Sequence, residues 1–429
     1  MAPRLPVFLF AVLIAVGVAG AGEPATAPRR VRLTNYALNS HIRLLDGQWQ
    51  GTFLASDGNV YVGGGSHNPE LGAAFFRYEP RNSAFRLLVP NITPICGEDQ
   101  RKTPPQGKIH SPIVEQDGWL YFGTHLANYT EEGRRAYTGG HLLGYQLATG
   151  QFRDFGVIHP NFTNYCCLGL DAPRKSIYFY ATPFYEGEGS RLYRVDIASG
   201  KKQDMGIVAR WNNRKDHGPP SFCCFVDGRG DCWLTTRYER TLCVGRAATG
   251  KVETFPDALP EAAVASGSKD PWKAARPLDA DRALIIMAGK MWIFDSREAP
   301  YSRKSPKTFT PICDVDPLQR IECFALGGGR FYWTLREKQD APLRLMSAPV
   351  DNPTAHFDHG EITDEASRKP MWAGDLITDG RGMLYMVGRW EALESDMQTI
   401  GILRHNQRMV VMFSVMDVRD DLRTLVPLR

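Results

Sequence analysis

The sequence predicts an all-β fold: a seven-bladed β-propeller whose blades are four-stranded antiparallel meanders. Three observations carry this. First, a turn followed by a short aromatic-rich strand recurs as DGNVYVGGG (57–65), DGWLYFGTH (117–125), RKSIYFYAT (174–182), GRGDCWLTTR (228–237), DRALIIMAG (281–289), GGGRFYWTLR (327–336) and GRGMLYMVGR (380–389). Second, most copies lead into another hairpin, as in LLGYQLATGQFRDFGV, and a Thr-Gly or Ser-Gly step recurs at 149–150, 199–200 and 249–250. Third, strands such as ALIIM and WLYFG are apolar on both sides, and no long helical period interrupts them. Units of about 45–60 residues that must bury both faces against like neighbours describe propeller blades.

In chain order, residues 1–21 read as a signal peptide. Arg4 precedes an apolar run from Leu5 to Val18, and Ala19-Gly-Ala21 is a small-residue cleavage site. Residues 22–429 then form one propeller domain, with 22–50 supplying a strand that closes the ring. The expected product is secreted or periplasmic and monomeric, with no stable membrane insertion after cleavage. Losing Arg4 lowers the net charge from +4 to +3, which excludes bulk nucleic-acid binding but leaves room for a local basic pocket. The nine cysteines are odd in number and contain no CxxC pair, so neither a complete disulfide framework nor a zinc ribbon is indicated. Cys166-Cys167, Cys223-Cys224 and Cys323 fall on inner strands, where small buried side chains suit the crowded centre. Cys232 and Cys243, on adjacent strands of blade four, can form a disulfide or join His217 in a metal site.

The stretch GKIHSPIVEQDGWLYFGTH (107–125) carries the chemistry. A two-residue turn at Asp117-Gly118 sets Gln116 opposite Trp119 and His110 opposite His125, so two imidazoles meet at one end of blade two. The start of an innermost strand and the end of the second share a rim. The excursion LANYTEEGRRAYT (126–138) leaves from this rim and His141 returns to it. Equivalent positions in other blades bring His67, Tyr180, Arg191, His217, Arg237, Arg336 and Arg389. Guanidiniums and imidazoles together suit an anionic ligand and proton transfer near neutral pH. No GxSxG elbow, phosphate loop or spaced carboxylate pair competes with this reading.

KIHSPIV…LYFGTH in blade two and IYFYATP…RLYRVD in blade three resemble the propeller-type polysaccharide lyases, in particular the ulvan lyases. That resemblance implies β-elimination on a uronic-acid-containing polysaccharide or oligosaccharide. It carries His110, His125 and Tyr180 over as catalytic, together with an arginine that is either Arg194, by the LYR motif, or Arg191, by its place near the rim. Tyr180 and one histidine would move protons while the other histidine and the arginine clamp the carboxylate. Tyr129, Tyr137, Tyr185, His141, His217, Arg237 and Arg389 would bind substrate. A structural divalent metal, zinc or calcium, is implied too, with His217, Cys232 and Cys243 as candidate ligands. Two other classes fit the same rim: a propeller glycoside hydrolase acting on uronate-linked sugars, and a non-catalytic glycan- or protein-binding propeller.

Overall fold

The computed structural model describes residues 29–127, 129–184, 189–210, 223–236, 241–260, 272–287, 290–298, 306–313, 320–338, 340–396 and 409–425. Seven antiparallel sheets follow one another along the chain, each a four-stranded meander apart from blade two, whose innermost strand is split in two, and blade seven, whose outer strand comes from the N-terminal segment. The fold is the expected seven-bladed propeller. Each recurring aromatic motif forms the second strand of its blade, as in Val60–Gly64, Trp119–His125, Ser176–Thr182, Arg330–Arg336 and Met383–Glu391. The Thr-Gly and Ser-Gly steps are the turns between third and fourth strands. Gly150, Gly200 and Gly250 hold positive φ there, in the left-handed region that disfavours a residue with a Cβ.

Packing explains why the strands are apolar on both sides. One face of Ser176–Thr182 sends Ile177, Phe179 and Ala181 into a cluster shared with Tyr121 and Leu142 of blade two. The other sends Tyr178 and Tyr180 into a cluster with Leu234 and Cys243 of blade four. The same arrangement recurs between every pair of consecutive blades. It includes seven and one, where Val411 and Phe413 meet Phe76 and Tyr78. Because every blade is covered on both sides by another, the ring has to close for the first and last faces to be buried.

Closure comes from the N-terminal segment. Arg32–Ala37 pairs antiparallel with Met409–Asp417, from Arg32↔Asp417 to Ala37↔Met412, and so becomes the outer strand of blade seven. This strand lies inside the interval 22–50 expected to supply it. Tyr36 fixes it further, its ring 5.4 Å from that of Tyr78 and 5.8 Å from that of Phe85. Deleting residues 29–37 should expose the edge of Met409–Asp417 and broaden and lower the thermal transition in calorimetry. An unchanged transition would show that closure does not depend on this strand. Residues 1–28, with the expected signal peptide, lie outside the described residues. Among the described residues no helix is long and apolar enough to cross a membrane.

The innermost strands of all seven blades surround an axial cavity of about 800 Å³. Within it Arg276 of blade five reaches Asp375 of blade seven at 3.0 Å. Burial raises the Asp375 pKa to about 6 in spite of that partner. Trp49 and Trp372 also line this cavity. They stand at the rim where inner strands begin and second strands end, beside blade two's histidines.

Candidate functional site

The blade-two hairpin turns as expected over its lower half, with Gln116↔Trp119, Glu115↔Leu120 and Val114↔Tyr121 in register. Toward the rim the register changes: Lys108, not His110, lies opposite His125, and Ile109 opposite Thr124. The cause is local. Pro112 has no N–H to offer the ladder. In place of a backbone carbonyl, Ser111 Oγ accepts the Gly123 N–H at 2.8 Å. The inner strand therefore bulges at His110-Ser-Pro-Ile113. The imidazoles remain neighbours all the same, with ring centroids 5.2 Å apart. The bulge also brings a lysine to the centre of the site.

Lys108 is buried, and its Nζ donates to the Tyr129 hydroxyl at 2.8 Å. That ammonium also lies 4.2 Å from the Tyr129 ring centroid and 5.2 Å from that of Trp49. On the other side of the phenol, His125 Nε2 shares a hydrogen bond with the same hydroxyl, while Nδ1 shares one with Thr163 Oγ1. Burial first, and then the positive charge of Lys108, holds the His125 pKa well below the usual histidine range, so its imidazole is neutral at pH 7. The Tyr129 oxygen thus touches one ammonium and one neutral imidazole, an arrangement that stabilises a phenolate.

Trp49 builds the other wall. His110 stacks on it at 4.9 Å with an interplanar angle of 8°, and His67 meets it edge-on at 5.3 Å. Its indole is seated on bare backbone: a Cβ at Gly47 or Gly65 would lie 2.9 Å from ring atoms of Trp49, and these two glycines pair with each other across the loop. His67 Nδ1 lies 3.0 Å from the Asp46 carboxylate, and its ring centroid is 5.7 Å from that of Tyr129. Burial pushes the Asp46 pKa up, but the hydrogen bonds from His67 outweigh it and leave the carboxyl below its ordinary value. Arg389 lies near the end of the second strand of blade seven, Met383–Glu391. Its Nε donates to the Asp46 carbonyl at 2.6 Å, and its guanidinium carbon lies 5.7 Å from the ring of Trp49 and 5.4 Å from that of Trp372. Blades seven, one and two thus contribute to one cluster. Lys108, His110 and His125 are buried, whereas Trp49, His67, Tyr129, Trp372 and Arg389 are partly open to solvent.

The sequence-derived candidates divide accordingly. His110, His125, Tyr129 and Arg389 come together, with His67. Tyr180 does not join them; its ring is enclosed among Leu192, Met205, Cys232 and Leu234 between blades three and four, because it points to the face opposite Phe179. Arg191, opposite Ala181, is toward the rim as expected, but its Nε is paired with Asp204 at 2.7 Å. Arg194 lies opposite Tyr178, farther from the rim, and donates to the Ala247 carbonyl at 3.4 Å. Tyr137 lines no surface: it is fully buried and its hydroxyl donates to Gln106 Oε1 at 2.6 Å.

His141 is likewise buried, its ring held between Asp154 at 2.9 Å and Glu98 at 3.1 Å. Burial alone would lower its pKa, but hydrogen bonds to Asp154, Cys96 and Glu98 carry it up to about 11, which makes it a structural imidazolium. Tyr185, His217 and Arg237 lie outside the described residues. Cys232 and Cys243 are thiols and are not joined in a disulfide. Cys243 Sγ donates to the Val208 carbonyl at 3.5 Å, and Cys232 faces Cys224. Among the described residues no group of three or more His, Cys, Asp or Glu is arranged to hold a metal ion, so the two thiols do not by themselves make the expected site.

Sequence reasoning missed Lys108, Trp49, Trp372 and Asp46. A signal for Lys108 existed in GKIH, two residues before His110, but only the Pro112 bulge turns it toward His125. Nothing in QWQGT marks Trp49.

No protein-family model matches this chain, and no curated protein matches it. Among solved structures it is similar to virginiamycin B lyase from Staphylococcus aureus, with a TM-score of 0.51 and 12% identity over 89% of this chain and 98% of that one. A streptogramin B lyase structure gives 0.50 and 12%, over 90% and 98%. At such identity the likeness concerns architecture alone, and both neighbours share with this chain the seven-bladed β-propeller fold.

Proposed function

We propose that this protein is a secreted lyase that cleaves a uronic-acid-containing polysaccharide by β-elimination at the rim shared by blades seven, one and two. The observation that carries the reading is the Tyr129 phenol, set between the Lys108 ammonium and the neutral His125 imidazole. The hydrogen on the carbon next to a uronate carboxylate is weakly acidic, so its removal needs a strong base and nearby positive charge. Tyr129, as phenolate, takes that proton. The C–H electron pair becomes the ring double bond and the glycosidic C–O bond breaks. The Tyr129 phenol then returns the proton to the departing oxygen, so no water is consumed. Lys108 and His110 offset the carboxylate as charge moves onto it. The role first carried over to Tyr180 by resemblance passes to Tyr129, because Tyr129 is the tyrosine beside the paired histidines.

The test is incubation of purified protein with a panel of uronic-acid polysaccharides, following the ultraviolet absorbance of unsaturated uronates together with reducing ends. Both should rise together. New reducing ends without absorbance would identify a hydrolase. Binding with neither signal would identify a non-catalytic glycan-binding propeller.

A further inference from the structure

The Lys108–Tyr129–His125 centre does not use the outer part of the rim cluster. Trp49 and Trp372 face one another at 6.4 Å between ring centroids, with their planes at 50°, where both also line the axial cavity. Arg389 lies against both indoles. Its Nε is spent on the Asp46 carbonyl, which fixes the plane of the guanidinium. Among the described residues its two Nη groups make no hydrogen bond or ion pair. Burial holds the Arg389 pKa below its ordinary value, the opposite of what an ion-paired guanidinium such as Arg191 experiences. A desolvated guanidinium with an open fork, braced between two aromatic faces and partly open to solvent, is built to receive a planar anion attached to an apolar ring face.

We infer that Trp49, Trp372 and Arg389 form a second sugar subsite, one that takes an acidic residue next to the one being cleaved: its ring lies on the indoles and its carboxylate on the Arg389 fork. This rests on the lyase reading for its position in the polymer, though not for its chemistry. The cleft then binds the chain in the direction from Tyr129 toward the axial cavity, and the enzyme requires acid groups on successive sugars. Gly47 has a part in this, because a Cβ there would lie 3.2 Å from Arg389 Nη2 and 2.9 Å from Trp49.

The test uses the full-length protein carrying Tyr129→Phe, so that ligand is not consumed, and titrates it with a hexuronate trisaccharide by calorimetry and tryptophan fluorescence. Adding Arg389→Gln should weaken binding by about tenfold, the loss expected for a hydrogen bond to a charged group. Adding Trp372→Ala should weaken it comparably and remove part of the fluorescence change. For a trisaccharide whose carboxyls have been reduced to hydroxymethyl groups, Arg389→Gln should have no effect, while Trp372→Ala should still weaken binding. Trp372→Phe, which keeps an aromatic face, should restore most of the affinity and guards against a merely unfolded Trp372→Ala protein. Affinity unmoved by both Arg389→Gln and Trp372→Ala would overturn the subsite, even if the wild-type protein turns over polymer. Affinity that depends on both, in a protein that eliminates no polymer, would sustain the subsite and remove the lyase reading instead.

Discussion

Replacing Tyr129 by phenylalanine is expected to lower kcat on the polymer by about 10²–10⁴-fold, the range that a positioned acid–base group contributes. KM should change little, since the hydroxyl acts on the moving proton and not on ground-state binding. The ring would remain in its contacts with Lys108, His67 and His125, so thermal stability should be nearly retained. Tyr180→Phe makes the contrast. It deletes a hydroxyl from a ring enclosed between blades three and four, and should alter melting temperature without a selective loss of kcat. Steady-state kinetics and calorimetry on the two variants separate the assignments. If Tyr129→Phe kept full kcat while Tyr180→Phe lost it, the chemistry would belong to blade three.

The largest stability effect is expected at His141. Its ring is enclosed between the Glu98 and Asp154 carboxylates, and Glu98 is in turn held by Thr138 and by Gln106 at 3.0 Å. His141→Gln leaves two carboxylates facing one another without a cation, and should cost about 3 kcal/mol, as for other buried pairs that lose one partner. The pH dependence has a definite sign. The folded pKa of His141, about 11, lies above its unfolded value, so its stabilisation is complete below roughly pH 6.5 and declines as pH rises toward 11. Glu98 behaves oppositely. Burial pushes its pKa up, but the bonds from His141, Thr138 and Gln106 outweigh this and lower it, so its contribution is lost as pH falls. The difference in unfolding free energy between wild type and His141→Gln should therefore be greatest in mildly acidic solution and shrink through pH 8 and 10. Urea titrations at these pH values measure it. A difference that grows with pH, or stays below about 0.5 kcal/mol throughout, would mean the imidazole is not a buried cation.

The two cases show how far local sequence reaches. His110 and His125 were legible because a hairpin with an Asp-Gly turn has few registers, and both lie within one continuous stretch. His141 was legible as a residue that returns to the rim, but its role depends on Glu98, more than forty positions away in sequence, and on Asp154 across the strand pair. Tyr129 was visible only as an aromatic in a long excursion. The helix Glu131–Ala136, capped by Thr130, folds that excursion back so that its tyrosine meets Lys108.

The amino-acid sequence determined the architecture: seven copies of an aromatic strand with buried residues on both faces require blades packed on blades, and the outer strand had to come from the N-terminal segment to cover the last edge. The tertiary structure alone decided the membership of the site. Trp49, Lys108, Tyr129 and Arg389 belong to three blades that become neighbours only when Arg32–Ala37 pairs with Met409–Asp417 and the ring closes. Lysine rather than histidine faces His125 because a proline withholds one N–H from the ladder. Periodicity encodes which face of a strand is buried; it does not encode which blade ends meet or where a strand bulges, since these depend on contacts between residues far apart in the chain.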